Sequence, residues 1–304
     1  MNRVYGSRKH SEEGEDTAVK CRERRRRRMA MRRMAVKREA GNQGIVNLEA
    51  PVYGTVSVVG RQREMVDEVS VQTNLCRPEI NGFQPVHFFG VFDGHVSALC
   101  KELMHVIMKE EMMRVKVVGD GGGEMWRLAV NRSFHRMDEM AVKLCSSDIC
   151  RCNTQLGSTA VVSVMTKEYM LVAKCGNSGA VICREGRPVD LTADDEGSCG
   201  GRIMSRPIDE IGFWATSEPD ISVTKRESRD ECLILGSNGL WDVVSSDAAS
   251  KTVHQCLGEN GNSNVELRID TDVGTKLAAT LLARLALGRR SADNISVIVV
   301  DLRR

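Results

Sequence analysis

The stretch Val86-His87-Phe88-Phe89-Gly90-Val91-Phe92-Asp93-Gly94-His95 is an apolar run that ends abruptly in an acid, a glycine and a histidine. Its aromatic and β-branched residues read as a buried strand, and Asp93 stands where that strand meets a turn, so its carboxylate can leave the core. Gly94 lets the backbone come close to whatever Asp93 holds, and His95 adds a group that moves protons near neutral pH. Two readings fit these ten residues: a metal or phosphate site at a strand end, or an Asx-type turn followed by a surface histidine.

Around this stretch the pattern is one of short strands and amphipathic helices. Strands are predicted over residues 53–59, 86–92, 159–165, 170–175, 180–183, 231–236 and 295–301, with a polar loop between the first two. The short polar turns within 159–183 favour antiparallel pairing, because parallel strands need longer crossovers. Helices are expected over 97–113, with Leu99, Leu103, Val106 and Ile107 near one face, and over 125–144 and 276–287. The glycine-rich residues 119–123 lack the Lys-Ser/Thr of a phosphate loop and read as a flexible linker. Clustered strands with paired helices imply an α+β layered domain.

The chain has 304 residues, enough for one substantial core plus a tail. Residues 1–40 hold 14 Lys/Arg against 6 Asp/Glu, which leaves 29 against 35 in the remainder; the net charge of +2 therefore hides a basic tail on an acidic body. Residues 1–48 read as a basic, disordered arm, followed by a single domain over 49–304. The run Arg24-Arg25-Arg26-Arg27-Arg28 fits a nuclear-import signal or a nonspecific polyanion contact, so the expected location is nucleus or cytoplasm, with no specific nucleic-acid target. An odd, scattered set of 11 cysteines favours reduced thiols. No apolar run reaches the ~18–20 residues of a membrane-spanning helix.

Other strand ends repeat the opening theme of an acid, or its amide, beside a glycine. Asn177 follows Gly176, Asn238-Gly239 follows the strand at 231–236, and Asp293-Asn294 precedes the last strand. Hard divalent cations take oxygen ligands, preferably carboxylates gathered from several elements, and strand ends converging on one rim could supply them.

Six stretches in fixed order resemble one family, the type 2C metal-dependent serine/threonine protein phosphatases: residues 60–67, 89–95, 157–160, 176–181, 237–242 and 291–297. The resemblance runs from about Val52 onward and is nearest to the plant group of abscisic acid signalling. Within that group, Cys21-Arg22-Glu23-Arg24, Pro85-Val86-His87-Phe88-Phe89 and residues 281–289 resemble the abscisic-acid-hypersensitive-germination type. The resemblance implies a four-layer sandwich of two antiparallel sheets flanked by helices. It also implies two Mg²⁺ or Mn²⁺ ions at one edge, serving phosphoester hydrolysis by two-metal logic. Asp93 would bridge the ions, the Gly94 carbonyl would bind one, Asp293 and Asn238 would complete the other, and Asp67 would hold water in the metal shell. His95 would be the general acid for the departing serine or threonine oxygen. Phosphorylated signalling proteins, protein kinases among them, would be substrates.

The departures from the family pattern concern charge. Val66 stands where the family has Glu, Asn177 and Asn238 where it has Asp, and Gln62 where it has the phosphate-binding Arg; Arg61 or Arg63 is then the candidate for the phosphate. One unit-charge pair at ~4 Å is worth about 4 kcal/mol at an effective dielectric of ~20, so three lost carboxylates should weaken metal binding by orders of magnitude. The expected outcome is impaired hydrolysis, or an inactive pseudophosphatase that regulates by binding. Between Asp194 and Ser205 most of the family's flap is absent, and with it the tryptophan that docks the hormone receptor; Trp214 reads as a structural tryptophan instead.

Overall fold

The computed structural model describes residues 50–94, 96–115, 122–145, 158–192, 218–258 and 271–303. Two five-stranded sheets, antiparallel throughout, face each other. One runs β1 (Tyr53–Val58), β10 (Ile295–Asp301), β9 (Asp230–Gly236), β6 (Gly179–Arg184), β7 (Arg187–Asp190). The other runs β2 (Glu68–Cys76), β3 (Val86–Gly94), β4 (Ser158–Met165), β5 (Tyr169–Cys175), β8 (Asp220–Lys225). Phe89, Val91, Val161 and Val172 of the second sheet meet Ile182, Leu233, Leu235 and Ile298 of the first in the central apolar layer. Sheets facing each other this way interdigitate their inner side chains.

Helices cover both outer faces. α1 (Ser97–Arg114) and α2 (Gly122–Cys145) lie on the second sheet, where Phe88 and Phe92 meet Met104, Met108 and Phe134. On the first sheet, the short α3 (Asn238–Trp241), α4 (Ser246–Gly258) and α5 (Thr271–Gly288) close over Ile234, Val297 and Val299. The four-layer α+β sandwich is the architecture expected. β3 is apolar on both faces because each face is covered, and only its last residue, Gly94, is not fully buried.

Several local expectations are corrected. The polar loop between the first two predicted strands contains β2, an edge strand whose half-buried residues and left-handed Asn74 (φ 58°) blur the alternation. The strands at 170–175 and 180–183 do not pair: the turn between them passes from one sheet to the other. Gly122 and Gly123 open α2 rather than ending a linker. The buried stripe of α1 is Cys100, Met104, Ile107, Met108 and Met112, with Leu99 and Leu103 only partly covered. β7, β8 and α4 were not anticipated. α4 does carry a readable signal, Ala249, Val253 and Leu257 at four-residue spacing behind a Ser245 hydroxyl that accepts from the Ala248 N–H at 3.3 Å. No helix among the described residues is long and apolar enough to cross a membrane.

Candidate metal centre

The two sheets bring three aspartates together from three separate places in the chain. β2 and β3 pair with Glu68 opposite Phe92, so Asp67, one residue earlier, comes beside Asp93 at the same end of the sheet. Asp293 arrives from the segment leading into β10, and Asp242 follows α3. Gly94, with φ 122°, carries the chain out of β3 in a conformation open to glycine.

A buried asparagine anchors this arrangement. Asn294 is 0% exposed; its Oδ1 accepts from the Val66 N–H at 2.6 Å, and its Nδ2 donates to the carbonyls of Val59 at 2.7 Å and Glu64 at 3.1 Å. The loop 59–66 is thus tied to the start of β10, and Asp67 follows directly from it. Ser97 at the head of α1 donates to the Val66 carbonyl from the other side. Two glycines allow the close approach. A Cβ on Gly60 would lie 2.1 Å from the Asp293 carbonyl oxygen, and one on Gly239 would lie 1.9 Å from that of Asn294. Sequence reading assigned Asn294 no role, although its place beside Asp293 was visible.

The electrostatics fit a cation site. Asp67 is 2% exposed, and neither carboxylate oxygen has a hydrogen-bond partner. Its pKa is raised by burial, which the nearby Ser237 and Ser296 hydroxyls oppose without cancelling. Both hydroxyls are engaged elsewhere, Ser237 Oγ with the Asn294 carbonyl at 3.3 Å and Ser296 Oγ with Ser57 Oγ at 2.9 Å. Burial, followed by the facing Asp67 and Asp293 carboxylates, pushes Asp93 up to about 8. Asp242, which sequence reading quoted within a motif but gave no role, is raised by burial and by Asp293. Buried carboxylates that repel one another persist where a divalent cation binds their ionised forms. The unpartnered oxygens of Asp67 and the all-oxygen donor set fit a hard cation such as Mg²⁺ or Mn²⁺.

Position 238 behaves differently. Asn238 donates from Nδ2 to Asp293 Oδ2 at 3.2 Å, while its Oδ1 accepts from the Gly239 N–H at 2.8 Å. The amide thereby meets part of the charge on Asp293, where a carboxylate would add to it. Val66 is 37% exposed beside the cluster, and Asn177 is exposed in the turn after β5. Arg61, Gln62 and Arg63 all sit exposed in the loop after Gly60, and neither arginine forms an ion pair with a described residue. His95, Trp214, the flap segment and the basic arm lie outside the described residues.

Comparisons with known proteins agree with this geometry. A sequence model of the family described as Protein phosphatase 2C matches residues 52–200 and 212–295. "Probable protein phosphatase 2C 75" of Arabidopsis thaliana is 42% identical over 308 residues, covering 84% of this chain and 74% of the relative. "Probable protein phosphatase 2C 24" of the same plant is 39% identical over 300 residues, covering 85% and 81%. Among solved structures, a serine-threonine phosphatase 2C from Toxoplasma gondii superposes with a TM-score of 0.61 at 21% identity, covering 84% of this chain and 96% of that one. At that identity the likeness speaks to the fold.

Proposed function

Because the chain belongs to the protein phosphatase 2C family, we propose that it is a metal-dependent phosphatase of serine- and threonine-phosphorylated proteins, with turnover reduced by the losses around its metal centre. The observation that carries this reading is the gathering of Asp67, Asp93 and Asp293, with Asp67 buried and unpartnered. Asp67, Asp93, Asp293 and the Gly94 carbonyl would hold the ions. Bound Mg²⁺ or Mn²⁺ supplies Lewis acidity toward the phosphoryl oxygens and makes water a better nucleophile. The chain's own residues then have separate tasks. Asn294 keeps Asp67 and Asp293 in register, and the covered sheet end limits access of bulk water to Asp93. His95, next along the chain, would return a proton to the departing hydroxyl oxygen. The products are the free serine or threonine and inorganic phosphate.

Amides at 238 and 177 and valine at 66 favour a second reading, an inactive pseudophosphatase that binds phosphoprotein partners such as kinases. Asn238 supports it specifically, because its amide satisfies Asp293 and Gly239 without a cation. The discriminating experiment is manganese-dependent hydrolysis of a phosphothreonine peptide by the parent protein beside Val66→Glu/Asn177→Asp/Asn238→Asp. Slow parent turnover that rises at least tenfold in the triple variant is the expected result. Equal rates would refute impairment, and a folded but inactive parent would establish the pseudophosphatase reading.

Likeness to the abscisic acid group is part of the same proposal, with plant relatives in its support. Import directed by Arg24–Arg28 is a further part: replacing those five arginines by glutamine should move a fluorescently tagged protein from nucleus to cytoplasm, and an unchanged distribution would refute it.

A further inference from the structure

At the other end of the first sheet, three potential ligands from three elements converge. Gly179 of β6 pairs with Gly236 near the metal centre, and Cys183 lies four residues further along the strand, about 13 Å at ~3.3 Å per residue. Cys183 Sγ is 3.1 Å from Glu231 Oε2 of β9, and His254 Nδ1 of α4 is 2.8 Å from the same oxygen and 2.9 Å from Oε1. The three ligand atoms all lie within 4.8 Å of one another. No other group of this kind, with three or more Cys, His, Asp or Glu atoms so close, occurs among the described residues.

The backbone is shaped to produce this convergence. β6 and β9 are in register at Cys183↔Cys232, but the next pair is Arg184↔Asp230, so Glu231 is an extra residue inserted at a bulge. Without the bulge, strict alternation would send the Glu231 side chain to the face opposite Cys232, toward the other sheet. The bulge re-aims it to the helix-covered face, where it meets Cys183 and α4. His254 reaches the same point because it lies one turn after Ser250, whose carbonyl is 3.5 Å from Cys183 Sγ. The Ser250 hydroxyl is buried and has no partner. The β6–β7 turn supports the imidazole: a Cβ on Gly186 (φ +72°) would sit 3.3 Å from His254 Cγ, and the Gly186 N–H donates to Glu231 Oε2 at 3.3 Å.

We propose that Cys183, Glu231 and His254 form a second metal site, for a single borderline-soft divalent cation of the zinc class, that clamps α4 to β6 and β9. Thiolate and imidazole ligands select such ions over Mg²⁺ and Mn²⁺, so the site and the aspartate cluster take different metals. Zinc–ligand lengths of ~2.0–2.3 Å place tetrahedral ligand atoms roughly 3.4–3.6 Å apart, so the two contacts to Glu231, at 3.1 and 2.8 Å, need to open by about half an ångström, and Cys183 Sγ and His254 Nδ1 already lie within 4.8 Å of each other. The His254 side chain is 47% exposed and that of Glu231 20%, which gives the ion a path in and leaves its fourth position to water. Two nearby arginines are already paired, Arg303 with Asp301 through Nε–Oδ1 at 3.0 Å and Nη2–Oδ2 at 2.8 Å, and Arg184 with Asp230 at 2.8 Å. On binding, the Cys183 thiol proton leaves to solvent, the His254 proton resides on Nε2, and Glu231 remains anionic. The ion is neither oxidised nor reduced.

Cobalt(II) is the probe, because thiolate–cobalt charge transfer is an optical signature that a structural change does not produce. Full-length protein, reduced and freed of metal, should take up one equivalent of Co²⁺ with that band and with the visible bands of four-coordinate cobalt. Zn²⁺ should bleach both and excess Mg²⁺ neither. Cys183→Ser should lose the charge-transfer band. His254→Ala, at an exposed position, should weaken affinity by about 100-fold or more, since the loss of outer-shell partners alone costs 10–100-fold. No band in the parent, or a band of equal strength and affinity in either variant, overturns the proposal and leaves the triad a hydrogen-bonded network only. Phosphatase activity does not enter the readout, so failure here is distinct from failure of the proposed function.

Discussion

Asp93→Asn, in EDTA at pH 8, should melt about 6–12 °C above the parent protein. Asp93 is 9% exposed, and burial with the Asp67, Asp293 and Asp242 charges pushes it up to about 8 from 3.8. That difference corresponds to ~5 kcal/mol against the ionised form, and the burial of a poorly bonded amide returns ~2 of it, so the variant gains about 3 kcal/mol. Melting temperatures of domains this size move ~2–4 °C per kcal/mol. Between pH 4 and pH 8 the native parent holds a proton that its unfolded chain has released. Its metal-free stability is therefore greatest on the acid side, falls as pH rises through that window, and is lowest above pH 8. The variant should lose the Asp93 share of this slope and keep only what the raised Asp67 and Asp242 contribute. Saturating Mn²⁺ should reverse the order, because it binds the native parent and raises its stability by mass action while the variant has lost the central ligand. Denaturation by scanning calorimetry at pH 5 and pH 8, with EDTA or Mn²⁺, checks all four arms. A parent that stays flat with pH and unmoved by Mn²⁺ would refute the cation-site assignment.

Gly239→Ala should be strongly damaging to the site. Its Cβ would stand 1.9 Å from the Asn294 carbonyl oxygen and 2.8 Å from the carbonyl carbon, both backbone atoms without a rotamer to escape into. The contact is held shut from both sides. Ser291 Oγ donates to the Gly239 carbonyl at 2.7 Å, and the Asn294 N–H donates to Asp293 Oδ1 at 2.8 Å. Forcing the segments apart should cost about 3 kcal/mol, the upper part of the usual overpacking range, and lower the melting temperature by about 6–12 °C. It should also carry Asp293 away from Asp93, so Mn²⁺ stabilisation disappears as well. Gly123→Ala, where a Cβ meets nothing within 4 Å, is the control and should be neutral or slightly stabilising. Equal melting temperatures for the two variants would mean that the segments yield freely.

Much of the fold was legible where a single physical cause dominates. β3, β4 and β10 are covered on both faces and so read as unbroken apolar runs. β2, β7 and β8 are edge or near-surface strands, and their mixed burial leaves only weak alternation. Ser-Val-Thr in β8 has the residue types of a strand, but nothing around it declares where the six-residue strand begins. β5 and β6 show a different limit, because a short turn implies pairing only if both strands stay in one sheet. At the site, Asp67, Asp93 and Asp293 are readable from motif order, and their carboxylates interact electrostatically in the fold. The part played by Asn294 was not, because an amide that joins Val59, Glu64 and Val66 is identified by contacts across more than 200 residues of chain. Nor could spacing reveal the bulge at Glu231, a property of register rather than of composition.

β10 lies between β1 and β9, and the segment before it supplies Asp293 and Asn294. A strand interior to its sheet is thus made after both of its neighbours. Until residues 293–301 have left the ribosome, nothing joins β1 to β9, and Asp67 and Asp93 have no partner from this end. The sheet closes by pairing Tyr53 with Val300, a contact of very long sequence separation that slows folding. The aspartate cluster is therefore completed only after every other described strand has been made. A nascent chain cut short before residue 293 therefore lacks Asp293, Asn294 and the strand that joins β1 to β9.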